Sequence, residues 1–150
     1  EDRTKAALGL SGGSGLFWLS EMTTKFKFFL FFLIGFIGFL FSQLISFLAA
    51  KGGVFIYKNE KIIPPFLFLA LIAFIIFSLL EIKKEAGRSL LISLGLILGG
   101  GLSNLFDCLR IGGVADYLDM YFLKMNLADI FILVGVIIFF WLKLANMKKV

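Results

Sequence analysis

The residues that could do chemistry in this chain are few, and they fall between Gly99 and Gly135. Asn104 and Asp107 are three apart, and Asn126 and Asp129 repeat that spacing, with Asp116 and Asp119 between the pairs. The 150 residues contain no histidine and one cysteine, Cys108. That composition removes serine–histidine and cysteine–histidine catalysis, imidazole proton shuttles, cysteine metal clusters and a disulfide within the chain. Proton chemistry falls to Asp, Glu, Lys or Tyr. Two carboxylates held close cannot both ionise cheaply, so one becomes the readier acid and the other the readier base. Such a pair can activate water and protonate a carbonyl oxygen with neither metal nor cofactor.

The elements that must position these groups are apolar. Hydrophobic residues make up 60% of the chain and charged residues 17%. Phe28 to Ala50, Ile62 to Leu80 and Ser89 to Phe106 carry no charge, and Met125 to Leu142 carries only Asp129. Crossing the hydrocarbon core takes about 20 such residues in a helix. Four runs of this length in so short a chain leave no soluble shell to cover them. The expected fold is an all-α membrane protein, a bundle of four transmembrane helices joined by short extracytoplasmic loops. The first run is too long for the apolar stretch of a cleaved signal peptide, so it is expected to stay as a helix.

The net charge of +5 would suggest nucleic acid in a soluble protein. Here the cations cluster at the ends of the apolar runs, so membrane lipids rather than nucleic acid are the expected surroundings. Eight lie before the first run, between the second and third, and after the fourth: Lys25, Lys27, Lys83, Lys84, Arg88, Lys143, Lys148 and Lys149. Five occupy the other two loops: Lys51, Lys58, Lys61, Arg110 and Lys124. The positive-inside rule then puts both termini in the cytoplasm and the aspartates toward the outer face. Residues 1–21, with Ser11-Gly12-Gly13-Ser14-Gly15, read as a tag, linker or other extension ahead of a native start at Met22. Residues 22–150 read as one four-helix transmembrane domain.

Within the spans, Gly35 and Gly38 lie on one side of the first, which otherwise faces lipid over much of its circumference. Gly95 and Gly99 in the third have the small-xxx-small spacing that lets helices approach closely. Each acidic group also has a plain reading. Asp107 could pair with Arg110, Asp119 could be an ordinary interfacial residue, and Asp129 could serve the dipole of the helix it opens. Tyr117, Tyr121 and Trp141 read as interface anchors, and Cys108 as a small packing residue.

The motifs resemble those of the lipoprotein signal peptidases, or signal peptidase II. That family reads approximately Gly-Asn-x-x-Asp-Arg, then Val-Val-Asp-Phe, then Phe-Asn-x-Ala-Asp before the last span. This chain has Ser103-Asn104-Leu105-Phe106-Asp107-Cys108, Val114-Ala115-Asp116-Tyr117 and Met125-Asn126-Leu127-Ala128-Asp129. The resemblance implies a four-span aspartic peptidase of the bacterial inner membrane. Asp116 and Asp129 would be its catalytic dyad, with Asn104, Asp107, Asn126 and Ala128 shaping the site. Its substrates would be prolipoproteins carrying a diacylglyceryl cysteine, cut just before that residue; no oligomeric state is implied. The chain departs from the pattern at Cys108 and Ser103, where Arg and Gly are usual, and Arg110 is the cation able to substitute. Ser42-Gln43 replaces an Asp-Gln pair, and most of an outer sheet-forming insertion, which helps clasp substrate in the family, is missing. Two other readings remain: an inactive or accessory membrane protein of the same fold, and a small ion transporter. The transporter would need a carboxylate near the midplane, and none is there.

Overall fold

The computed structural model describes residues 23–52, 57–59, 64–84, 87–121 and 123–147. The proposed extension at 1–21 and most of the first outer loop lie outside them. Among the described residues, four helices are long and apolar enough to cross a bilayer. They are α1 (Thr24–Lys51), α2 (Pro64–Lys83), α3 (Arg88–Ile111) and α4 (Leu127–Met147). At 1.5 Å per residue even the 20 residues of α2 span about 30 Å, the thickness of the hydrocarbon core. The prolines at the head of α2 occupy a first turn whose N–H groups have no helical partner. Helix α3 stops at Gly112, whose left-handed φ of 74° only glycine adopts without strain, and whose N–H caps the Cys108 carbonyl at 3.0 Å.

The loops are not plain coil. Strand β1 (Tyr57–Asn59) pairs antiparallel with β2 (Val114–Asp116), bringing Tyr57 opposite Asp116. Strands β3 (Leu118–Met120) and β4 (Leu123–Met125) form a hairpin. The expected all-α bundle therefore carries two small strand pairs at the aspartate end. They form there because a chain leaving α3 at Gly112 must satisfy its backbone groups before re-entering the bilayer at Leu127.

Helix α3 is the central element. Without water to drive apolar surfaces together, helices in lipid associate through close packing, and small residues permit it. A Cβ on Gly99 would lie 2.7 Å from the Gly35 carbonyl oxygen, and one on Gly95 would strike Ile34, so this stripe of α3 lies against α1. Gly38 faces Gly99 and Phe131. On the next stripe Gly100 abuts the Ala128 carbonyl and Ile132 of α4, and Gly135 of α4 returns the contact against Ser93 and Ile97. Phe31, Leu71, Leu91, Leu94, Leu98 and Leu105 fill the interior. Phe29, Phe36 and Phe47 of α1, Phe66 and Leu69 of α2, and Ile137 and Trp141 of α4 project outward, as lipid-facing residues do. At the end remote from the aspartates, buried Glu81 of α2 takes bonds from Lys143 of α4 and, at 3.3 Å, from Lys84. This tie matters because a buried carboxylate must be paired.

Gly100 yields a clear stability prediction. Gly100→Ala would set a methyl against the Ala128 backbone, which cannot rotate away. Overpacking of this kind costs about 1–3 kcal/mol. Gly101→Ala would meet only the movable Cδ1 of Leu71, at 3.1 Å. A thermal-shift measurement in detergent should show a clear loss for Gly100→Ala and little change for Gly101→Ala.

Candidate active site

The site is organised by the first turn of α4. The Asn126 carbonyl accepts the N–H of Ile130 at 3.3 Å, which makes Asn126 the residue that caps this helix. Its side-chain Oδ1 accepts the N–H of Asp129 at 2.9 Å, and Asp129 Oδ2 accepts the N–H of Asn126 at 3.1 Å. This is a reciprocal capping box built with Asn and Asp. The plain reading of Asp129, a partner of its own helix start, is thus realised, yet it uses only part of the carboxylate. Asp129 Oδ1 accepts from Asn104 Nδ2 of α3 at 2.9 Å.

The amide nitrogen of Asn126 reaches the other way. It donates to Asn104 Oδ1 at 3.1 Å and to Asp116 Oδ1 at 3.3 Å. One buried side chain therefore touches α3, β2 and, through the capping box, Asp129. Of the two Asn/Asp pairs that the spacing put at the ends of adjacent helices, Asn104, Asn126 and Asp129 meet here, and Asp107 does not. Asp116 is itself buried, delivered by the last residue of β2. Burial raises its carboxyl to about 6, helped by the charges of Asp129 and Asp107 and opposed by the Asn126 bond. Ala128, 1% exposed, supplies no polar group; it forms the seat where α4 lies on Gly100.

Asp107 faces different partners from Asn104. It accepts from Gln43 Nε2 of α1 at 3.1 Å and from the backbone N–H of Ala115, and it lies 3.7 Å from the Arg110 guanidinium. The pairing with Arg110 is present but long. Through Ala115, the residue before Asp116, Asp107 holds β2 in place. Gln43 also donates to Ser103 Oγ at 2.9 Å, and Ser103 donates in turn to Ser42 Oγ at 2.9 Å. The two departures from the motif pattern at Ser42 and Ser103 thus bond to each other.

Tyr117 corrects an expectation. It is not an interface anchor but is buried at 8%, and its hydroxyl accepts the N–H of Leu127 at 3.0 Å, serving a second donor of the α4 terminus. Burial pushes its phenol up, so it stays neutral. Tyr121 and Trp141 are strongly exposed, as anchors would be. Asp119 lies on the β3–β4 hairpin opposite Lys124, exposed and outside this cluster. Cys108 is buried and packs in α3. Among the described residues, no three His, Cys, Asp or Glu side chains gather where a metal could be held.

A family model described as signal peptidase (SPase) II matches residues 16–145 of this chain. The chain belongs to the signal peptidase II family. The lipoprotein signal peptidase of Caldicellulosiruptor bescii is 32% identical over 113 residues, covering 75% of this chain and 73% of that one. The same-named protein of Moorella thermoacetica is 44% identical over 72 residues, 47% of this chain and 48% of its own length. That of Rhizorhabdus wittichii is 41% identical over 63 residues, 38% and 37% of the two chains. The match to these last two spans half or less of their length. Two solved structures of bacterial membrane enzymes share the fold. One has a TM-score of 0.67 at 21% identity, covering 78% of this chain and 88% of that one. The other has a TM-score of 0.62 at 22% identity, covering 79% and 92%. With four helices long and apolar enough to cross a bilayer, this member of the family is a multi-pass protein of the bacterial inner membrane. Three residues of the site were not assigned to it from the sequence: Ser42 and Gln43 entered only as a departure from the motif pattern, and Tyr117 as an interface anchor. Gln43 also carried a signal of its own, as a polar side chain near the end of an otherwise apolar span.

Proposed function

We propose that this signal peptidase II chain is an intramembrane aspartic endopeptidase that removes the signal peptide from diacylglyceryl-modified prolipoproteins. The observation that carries the reading is the meeting of the Asp116 and Asp129 carboxylates on one buried residue, Asn126, whose side-chain amide donates to the first and whose backbone N–H donates to the second. Asp129 takes N–H donors on both oxygens, the arrangement of a carboxylate, and is assigned as the base. Asp116, whose burial favours the protonated form, is assigned as the acid. Water attacks the carbonyl carbon of the bond before the lipidated cysteine and gives its proton to Asp129. The Asp116 proton stabilises the developing oxyanion, and Asp129 then passes its proton to the departing amine. Bases and acids are regenerated without metal or covalent intermediate.

The excess of cations at the opposite end supports both termini in the cytoplasm and an outward-facing site. There the lipid anchor of the substrate would hold the scissile bond at the depth of the dyad.

The test uses purified protein in detergent micelles with a synthetic peptide bearing a diacylglyceryl cysteine, its products read by mass spectrometry. Cleavage before that cysteine is expected, with the unlipidated peptide cut on the order of 10²-fold more slowly as its remote binding energy is lost. No cleavage would select the inactive, accessory reading. Because Asp116 must be protonated, the rate should fall as pH rises above about 6, approaching tenfold per unit. A rate that climbs through the same range would reverse the acid and base assignments.

A further inference from the structure

Helix α3 has a second functional-looking face. Gly100 and Asn104 look toward α4, whereas Leu102, Leu105, Phe106 and Leu109 lie on the far side of the helix, at the spacing of one stripe. With Phe36 and Phe39 of α1 they line a groove of about 280 Å³, apolar throughout. Its walls run roughly 10 Å along α3, from Leu102 to Leu109, at the helical rise. Phe36 and Leu109 are exposed at its edge, so it opens sideways into the hydrocarbon of the bilayer.

The groove is apolar at depth and cationic at its aspartate end. The Arg110 guanidinium lies 5.8 Å from the centroid of the Phe106 ring that forms one wall. Its side chain is 47% exposed, and its contact with Asp107 is 3.7 Å long, which leaves several of five N–H donors for another acceptor. Phe47 stands three turns beyond Phe36 on the same stripe of α1, with the Lys51 ammonium 4.7 Å from its ring centroid. An apolar slot leading to two cations at one membrane interface matches a molecule with an acyl chain and an anionic head. We propose that this groove binds one anionic phospholipid, its acyl chain between α1 and α3 and its phosphate on Arg110. A planar guanidinium suits a phosphodiester, and the second cation selects against a zwitterionic head. The site is separate from the peptidase centre, which lies across α3. Only the choice of leaflet rests on the outward orientation proposed above.

The experiment is native mass spectrometry of the full chain released from nanodiscs containing equal phosphatidylglycerol and phosphatidylcholine. One retained phosphatidylglycerol per chain is expected, in clear excess over phosphatidylcholine. Arg110→Gln should reduce its retention roughly fivefold, the scale of losing one cation at a membrane surface. Leu109→Trp, which fills the mouth at an exposed position, should reduce it as well. Leu133→Trp, exposed on α4, should leave it unchanged. Equal retention of the two lipids, or undiminished retention in both groove variants, would overturn the proposal. The readout needs no hydrolysis, so an inactive peptidase leaves it standing.

Discussion

Asp129→Asn and Asp116→Asn should each produce a folded protein that no longer processes a lipidated precursor. General acid–base groups contribute about 10² to 10⁴ in rate each, and here the two act on one tetrahedral intermediate, so kcat should fall by about 10³ or more. Both replacements keep shape. An amide at 129 can still accept through its carbonyl oxygen from Asn104 or from the Asn126 N–H, so most of the capping box survives. An amide at 116 relieves a buried carboxyl of the cost of ionising, so this variant should be at least as stable as the wild type near neutral pH. The check is a peptide-cleavage assay run beside a thermal melt of the same sample. Wild-type rates in either variant would remove that residue from the chemistry, and loss of melting cooperativity would mark a structural effect instead.

Asn126→Ala should rank next. It removes the amide donor shared by Asn104 and Asp116 and the oxygen that caps the Asp129 N–H. Loss of the cap costs about 1 kcal/mol. The larger effect is geometric: the amide holds the Asp116 carboxylate directly and orients Asn104, which donates to the Asp129 carboxylate, and a displacement on the order of 1 Å is worth about 10² in rate. Asn126→Ser separates the two contributions. A serine hydroxyl can cap the helix but cannot reach both Asn104 and Asp116. Most of the melting temperature should return in the serine variant while kcat stays low. Activity restored together with stability would reduce Asn126 to a helix cap.

The four helices were legible because an uninterrupted apolar run has one physical outcome in a chain this short, and length alone selects it. That polar groups of the third and fourth helices gather at one end was legible too, since the two runs are joined by a short loop; that Asn104 bonds Asp129 while Asp107 turns to α1 was not. Asp116 was not. Its place depends on strand β2 pairing with Tyr57–Asn59, nearly sixty residues earlier, and three-residue strands carry no periodicity that reveals a partner. Only the motif resemblance pointed to it. Tyr117 was misread for a related reason: an aromatic residue near a span end has the same local signature on either side of a buried wall. The Ser42–Ser103 bond is equally invisible in the sequence, because each serine stood out only as a separate departure from the motif pattern and neither position shows that the two face each other.

The capping box at the start of α4 also bears on when this protein can become active. Asn126 and Asp129 belong to the fourth span, which leaves the ribosome after the other three, and Asn126 ties Asp116 to the rest of the cluster through that helix's first turn. A nascent chain with three spans in the bilayer already has Asp107 and β1 to hold the strand that carries Asp116, but it lacks both Asp129 and the asparagine that ties Asp116 to Asn104. On the proposed mechanism hydrolytic competence then arrives only when the fourth span inserts, so a product stalled before it is expected to be inert toward the precursors passing beside it.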